Sequence, residues 1–445
     1  MSATRTSLRA MTVVTVAAAF LLGVLPGWSP PPAHAQVAPK LVIGQNFPDP
    51  DVLQVGSSWY AYATNTGGRN VPVATAGSPD GPWTVRTVDA MPNLGAWASE
   101  GKTWAPDVSR RTDGKYLLYY TARHTASGRQ CIGAGIATSP LGPFQPVGTG
   151  PLVCNPGEGG DIDASSFVDS DGTRYLLYKN DGNAIGVPTW VYLQQVASNG
   201  TSFVGGRTGL IRNDKAEEHG VIEAPVLVRR PSQYVLFYAG GCYCNNNYFT
   251  SYAASSTLRG TYTKAYRPLM TTQTFDGAVR GPGGADALSN RIIFHGWINS
   301  DSARGMYVAD LGWANDYPVV RGSRVRYEAE RGRLNHCQVR TGASGASQGA
   351  VVAYIDYADS WAEVRVYAAS AGNHSVHVGY ANGSAATATH TLRINGGSPV
   401  VVNYPVTGWD NWRQVRVDVN LAAGWNTLRF THRDRYAELD YIEVS

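Results

Sequence analysis

The sequence predicts an all-β chain: a five-bladed β-propeller followed by a β-sandwich (jelly-roll) module. Three observations predict it. A unit of strand, polar turn and aromatic strand recurs at nearly constant spacing. Turn-forming and strand-forming residues abound, with 50 Gly, 25 Tyr and 12 Trp among 445 residues. No useful length of chain after residue 35 keeps the 3.6-residue apolar spacing of a helix.

The repeat is legible by eye. FPDPDVLQVGSSWYAYAT, TWAPDVSRRTDGKYLLYYT, DIDASSFVDSDGTRYLLYKN and VIEAPVLVRRPSQYVLFYAG align. Their aromatic strands open at Tyr60, Tyr116, Tyr175 and Tyr234, and a weaker fifth copy opens at Ile292. The steps are 56, 59, 59 and 58 residues. A second marker runs out of phase, at Trp83, Phe144, Phe203 and Tyr262, with steps of 61, 59 and 59. Units of that length hold about four strands each, and five of them close a propeller. A sandwich alone would show turns without this period.

Residues 1–35 read as a secretory leader, with Arg5 and Arg9 ahead of an apolar run at 11–25 and then Ala33, His34 and Ala35. The expected mature start is Gln36, and the expected location is extracellular. The apolar run is too short to be expected to span a membrane. A net charge of +4 with 16% charged residues, and no run of five like charges, argues against a nucleic-acid partner. A monomer is expected. Five cysteines in an exported chain permit disulfides. Cys131 and Cys154 flank a strand-turn segment of one repeat and are placed to pair. Cys242 and Cys244 are one residue apart, so a direct bridge between them is expected to be strained. Cys337 lies in the C-terminal module.

The chemistry sits at one repeat position. Eleven residues before the aromatic markers stand Asp49, Ala105 and, with a one-residue loop change, Asp163 and Glu223. The first strand of a blade lines the central channel, so these three acids are expected to converge in one pocket. Clustered carboxylates raise the pKa of at least one member, so one can hold a proton while another stays ionised. Acids that merely cap turns would not recur at one repeat position, since burying them without use costs several kcal/mol. Asp51 can face the channel as well as Asp49 on spacing alone.

PDPDV, TWAPDV, DIDASSFVD and IEAPVLV resemble the blade motifs of glycoside hydrolase family 43, over residues 43 to about 320. The resemblance implies a five-bladed propeller that hydrolyses α-L-arabinofuranosides or β-xylosides with inversion and needs no catalytic cofactor. It implies that Asp49 is the general base, Asp163 the pKa-modulating acid and Glu223 the general acid. Many members carry Gly-Pro-Gly-His in the fifth blade, where the His helps hold a metal or water. Here Gly281, Pro282, Gly283 and Gly284 stand instead, so a channel metal is not expected. His295 is read as a packed core residue. Trp104, just before the channel position of the second blade, is a substrate-stacking candidate. Asp107 suits either a sugar hydroxyl or a strand cap. The segment 241–248, GCYCNNNY, is placed at the rim near Glu223.

A basic linker is expected at residues 321–326, after a propeller over 36–320. From Tyr327 to Ser445 the pattern changes to that of a sandwich. YEAE, TGWDNW and ELDYIEV resemble carbohydrate-binding modules of families 6 and 35. That resemblance implies a structural calcium held by Glu328, Glu330 and Asp440, a donor set of hard oxygens. Relatives often have Asn where Glu438 stands. Tyr354, Trp409 and Trp412 are candidate stacking residues. The leading expectation is a secreted glycosidase of hemicellulose or arabinan, releasing α-L-arabinofuranosyl units. A β-xylosidase of the same fold, a non-catalytic glycan-binding propeller and a protein-interaction propeller are the alternatives.

Overall fold

The computed structural model describes residues 38–445. The expected leader and its cleavage point lie outside the described residues. Four antiparallel sheets of four strands follow one another, each strand paired with its neighbour in sequence. The first comprises Asp51–Val55, Ser58–Tyr62, Pro72–Ala76 and Thr84–Asp89. The second begins at Ala98–Arg110, the third at Asp161–Val168 and the fourth at Ile222–Arg229. Tyr60, Tyr116, Tyr175, Tyr234 and Ile292 all fall on second strands. Trp83, Phe144 and Tyr262 each stand one residue before the outer strand of their sheet.

The fifth sheet is assembled from both ends of the propeller. Arg280–Ala287, Arg291–Ile298 and Ala303–Ala314 form its inner three strands, and Lys40–Ile43 pairs with Ala303–Ala314 as the outer one. Five apolar layers fill the five gaps between sheets. Tyr62, Val73, Leu118 and Tyr120 join the first sheet to the second. Leu117, Tyr119, Leu176 and Tyr178 join the second to the third. Ile43, Val52, Ala61 and Met306 join the fifth back to the first. Five sheets with five filled interfaces are a closed ring. Tyr119 and Phe237 are fully buried, so truncating either to Ala would cost about 3–5 kcal/mol.

A single device shapes the inner strands of the second to fifth blades. Register shifts occur between Trp104 and Asp107, Ile162 and Ser165, Glu223 and Val226, and Gly283 and Asp286. Each shift is a bulge, with a residue at positive φ inside it: Ala105, Asp163, Ala224 and Gly284, matched by Asp49 in the first blade. Holding non-glycine residues there costs of order 1–3 kcal/mol each and re-aims the side chains toward the axis.

The C-terminal module is a sandwich of a six-stranded and a five-stranded antiparallel sheet. Val352, Val364, Val378, Leu392, Leu428, Phe430 and Leu439 fill the space between them. Its first strand is Val325–Glu328, paired with Glu438–Val444. The expected linker is therefore shorter than 321–326, because Val325 and Arg326 already belong to the sandwich. It is also pinned. Ser323 Oγ donates to Leu269 O at 2.6 Å, Arg321 Nη1 donates to Ala371 O at 2.9 Å, and Arg324 pairs with Asp276 at 2.8 Å and Glu443 at 3.1 Å.

Both cysteine pairs are bonded, Cys131 to Cys154 and Cys242 to Cys244. In the second pair the two Cα atoms stand 5.1 Å apart, within reach of a bridge. Cys337 is free and half-buried.

Candidate active site

Asp49, Asp163 and Glu223 line one cavity of about 470 Å³ at the mouth of the channel, with Thr64, Trp104, Tyr243, Tyr248 and Arg304. The bulges decide which atoms meet. Glu223 pairs across its strand with Ala239, as Trp104 does with Thr121 and Ile162 with Lys179. Glu223 is thus equivalent to Trp104 and Ile162, and the equivalent of Asp163 in the fourth blade is Ala224. This corrects the assignment of all three acids to one repeat position: Glu223 enters the cavity from one residue earlier, across the bulge. Trp104, sharing that position, lines the cavity too.

Asp49 is held ionised. Arg304 Nη1 donates to its Oδ1 at 3.0 Å, and Thr64 Oγ1 donates to its Oδ2 at 2.6 Å. His295 Nδ1 lies 3.2 Å from Oδ1. Burial alone would raise this carboxyl, but the Arg304 charge, the adjoining His295 and the bond from Thr64 hold it well below the usual range, while the Asp49 backbone N–H donates to His295 Nδ1 at 3.1 Å. His295, expected only to pack in the core, does more: it is fully enclosed and sits against Asp49. Burial and Arg304 depress its own pKa, so the ring is neutral.

Asp163 has the opposite environment. Burial, and then the facing Glu223 charge, push it up to about 7, against the lowering effect of Lys179. Its Oδ2 accepts the backbone N–H of Ala224 at 2.8 Å. Glu223 accepts a hydrogen bond from Tyr248 at 2.7 Å on Oε1 and faces Lys179 Nζ at 3.5 Å on Oε2. Lys179 has no exposed side-chain surface and also donates to Asn183 at 2.8 Å. The cavity thus has an ionised side, at Asp49, and a side where Asp163, facing Glu223, keeps a proton near neutral pH.

Two glycines make room for this. A Cβ at Gly283 would stand 2.1 Å from the Tyr248 ring, and one at Gly284 would stand 2.7 Å from His295 Nδ1. The Gly-Pro-Gly-Gly reading of the fifth blade follows from these two rings.

The remaining channel acids do structural work. Asp286 accepts from Val52 N at 2.9 Å, Asp51 from Val108 N at 2.8 Å, and Asp107 from Ser166 N at 2.9 Å. Each carboxylate reaches the next blade, which excludes Asp107 as a sugar contact and separates Asp51 from Asp49. Sequence reasoning missed Arg304 and Lys179 and gave His295 only a packing role, because none lies on a repeat position that carries an acid; the segment 241–248 does reach Glu223, through Tyr248.

In the sandwich, Glu328 and Asp440 converge on Ser347. Ser347 Oγ donates to Glu328 at 2.8 Å, and its N–H donates to Asp440 at 2.9 Å. Glu328 Oε2 and Glu330 Oε2 are buried without a hydrogen-bond partner. Burial, with Glu328 and Glu330 adding to it, raises Asp440 to about 6. Hard oxygen donors with orphaned atoms suit calcium. Among the described residues no three such carboxylate oxygens lie within 4.8 Å of one another. Tyr354, Trp409 and Glu438 line a separate cavity of about 480 Å³. Trp412 instead donates its Nε1–H to Ser344 O at 2.8 Å.

A ring of five blades around a proton-holding and an ionised carboxylate is the equipment of a glycoside hydrolase. The chain belongs to glycosyl hydrolases family 43, whose family model matches residues 38–292. A second model, described as alpha-galactosidase, CBM13 domain, matches residues 360–444. It gives the module a carbohydrate-binding relative other than families 6 and 35. Extracellular endo-alpha-(1->5)-L-arabinanase 1 of Bacillus subtilis is 24% identical over 288 residues, 61% of this chain and 86% of that protein. Probable arabinan endo-1,5-alpha-L-arabinosidase A of Aspergillus flavus is 30% identical over 206 residues, 45% of this chain and 59% of that one. The crystal structure of a thermostable family-43 glycoside hydrolase superposes with a TM-score of 0.56 at 25% identity, over 64% of this chain and 96% of the other.

Proposed function

We propose that the protein is a secreted, inverting glycosidase of plant polysaccharide that cuts α-L-arabinofuranosyl linkages. One observation carries the reading: Asp49, held ionised, and Asp163, pushed up to about 7 beside Glu223, face one cavity. Inversion needs that asymmetry. Asp49 takes a proton from water as the water attacks the anomeric carbon. Glu223 delivers a proton to the leaving glycosidic oxygen. Asp163 stands beside Glu223 and keeps the proton on that side. Trp104 forms a wall against the sugar. Arabinan is favoured over xylan by the names of the relatives, among them the two described above. Glu328, Glu330 and Asp440 would hold a calcium that fixes the first and last strands of the sandwich; the ion has no part in the hydrolysis.

The test is hydrolysis of arabinan, arabinoxylan and aryl arabinofuranosides, with the anomer of the fresh product read by NMR. Glu223→Gln and Asp49→Asn should each lower turnover of natural substrate by about 10²–10⁴. Near-normal turnover in either variant, or a retained anomeric configuration, would reject the assignment. Glycan binding without any hydrolysis would establish the lectin alternative.

A further inference from the structure

Where the sandwich meets the propeller there is a cleft of about 580 Å³ that shares no lining residue with the cavity of the channel acids and is larger than it. Six arginines line it (Arg267, Arg324, Arg326, Arg331, Arg333 and Arg365) against three glutamates, Glu328, Glu363 and Glu443. The glutamates are mostly engaged. Glu443 pairs with Arg324 at 3.1 Å and Arg326 at 2.6 Å. Glu363 pairs with Arg333 at 3.3 Å and with Arg429 at 2.7 Å. Among the described residues, Arg267, Arg331 and Arg365 have no ion pair. Arg267 comes from the propeller and the other two from the sandwich, so both contribute arginines without an ion pair to the cleft.

The cleft also offers flat apolar surface. Tyr266 is 77% exposed and Trp425 37%, with Arg365 lying 4.8 Å over the Trp425 ring. A second groove of about 450 Å³ continues it, sharing Arg267, Arg324 and Arg326 and adding Trp412 and Arg413. Arg413 is likewise without an ion pair among the described residues. Guanidinium groups bind carboxylates through two parallel hydrogen bonds. A path of unpaired arginines beside aromatic faces therefore matches a chain that is both saccharide and anion.

We propose that this cleft binds an acidic polysaccharide through the carboxylates of its uronic-acid residues. The ligand chain crosses the junction, with Arg267 on one side and Arg331 and Arg365 on the other. Bound there, it anchors the enzyme to the charged regions of a plant wall while the channel cavity acts on neutral chains. From the proposed function this takes only that the protein works among plant polysaccharides. The binding needs neither Asp49 nor Glu223, so loss of the catalytic assignment leaves it measurable.

The experiment uses the full chain carrying Glu223→Gln, with polygalacturonate and neutral linear arabinan as probes in affinity electrophoresis, at low and high salt. Polygalacturonate should bind at low salt and weaken at high salt. Adding Arg267→Glu and Arg365→Glu together should weaken it by about tenfold or more, with arabinan binding unchanged. In the otherwise native chain the same pair should leave the melting temperature and the hydrolysis of an aryl glycoside unaltered, which separates lost binding from lost folding. Polygalacturonate affinity unchanged by the double substitution would overturn the proposal. So would equally tight binding of single-stranded DNA, which would mark a surface for polyanions in general.

Discussion

Tyr248 lies flat on His295, with ring centroids 5.6 Å apart and planes 8° from parallel. Its hydroxyl donates to Glu223 at 2.7 Å, while His295 stands 3.2 Å from Asp49. The stack therefore links the Glu223 side of the cavity to the Asp49 side. Burial and the surrounding carboxylates raise the Tyr248 pKa far above its ordinary value, so it remains an O–H donor. Tyr248→Phe keeps the stack and deletes the hydrogen bond. A bond to a charged group is worth about 1.5–3 kcal/mol, so kcat should fall about 10- to 100-fold with little change in KM. Steady-state kinetics on an aryl arabinofuranoside checks this.

Arg304 is the largest force keeping Asp49 ionised. Arg304→Met removes that charge and leaves an apolar stem. The Asp49 pKa then rises, and fewer molecules carry an ionised base in mild acid. The acid limb of kcat/KM should move to higher pH by on the order of one unit. A pH–rate profile that does not move would show that Asp49 is not the base.

Lys179 acts on the other limb. Its charge lowers Asp163, so Lys179→Met should let the Asp163–Glu223 pair keep its proton to higher pH. The alkaline limb shifts upward, and it reports the pair rather than either residue alone. Breaking a buried pair by removing one partner also costs about 3–5 kcal/mol, which urea unfolding at neutral pH will show.

Asp163 trades stability for its proton. In the unfolded chain it ionises near 3.8, whereas in the fold it does so at about 7. The unfolded state gains from ionisation first, so the fold loses stability as pH rises from 3.8 to about 7, and the loss is complete above that. Asp163→Asn removes the penalty. Its melting temperature should exceed that of the native protein by several degrees at pH 8 and match it at pH 3, while activity drops. Scanning calorimetry across pH gives both readings.

Calcium concerns the sandwich alone. If Glu328, Glu330 and Asp440 hold the ion, saturating calcium at 100 times its dissociation constant adds about 2.7 kcal/mol. Chelation should lower the melting temperature of the native protein but not that of Asp440→Asn. Hydrolysis of small aryl glycosides should be indifferent to both.

The ring and its acids were readable because the repeat is a matter of spacing: the Tyr markers fell on second strands, and Asp49, Asp163 and Glu223 fell in one cavity. The offset of Glu223 was hidden, since a bulge adds a residue without changing the type of residue on either side. Arg304 and His295 were unreadable for a different reason. They meet Asp49 across 255 and 246 positions of chain, and only closure of the ring brings them there. The shorter linker follows from Val325 pairing with Val444, a contact between opposite ends of the module.

The strand Lys40–Ile43, which completes the fifth sheet, sets the order in which the protein can become an enzyme. Synthesis delivers this edge first and its neighbour, Ala303–Ala314, some 260 residues later. Until then the first blade carries its carboxylate with neither Arg304 nor His295 beside it. A nascent or truncated chain that stops short of residue 304 therefore carries Asp49, Asp163 and Glu223 without the guanidinium that holds Asp49 ionised.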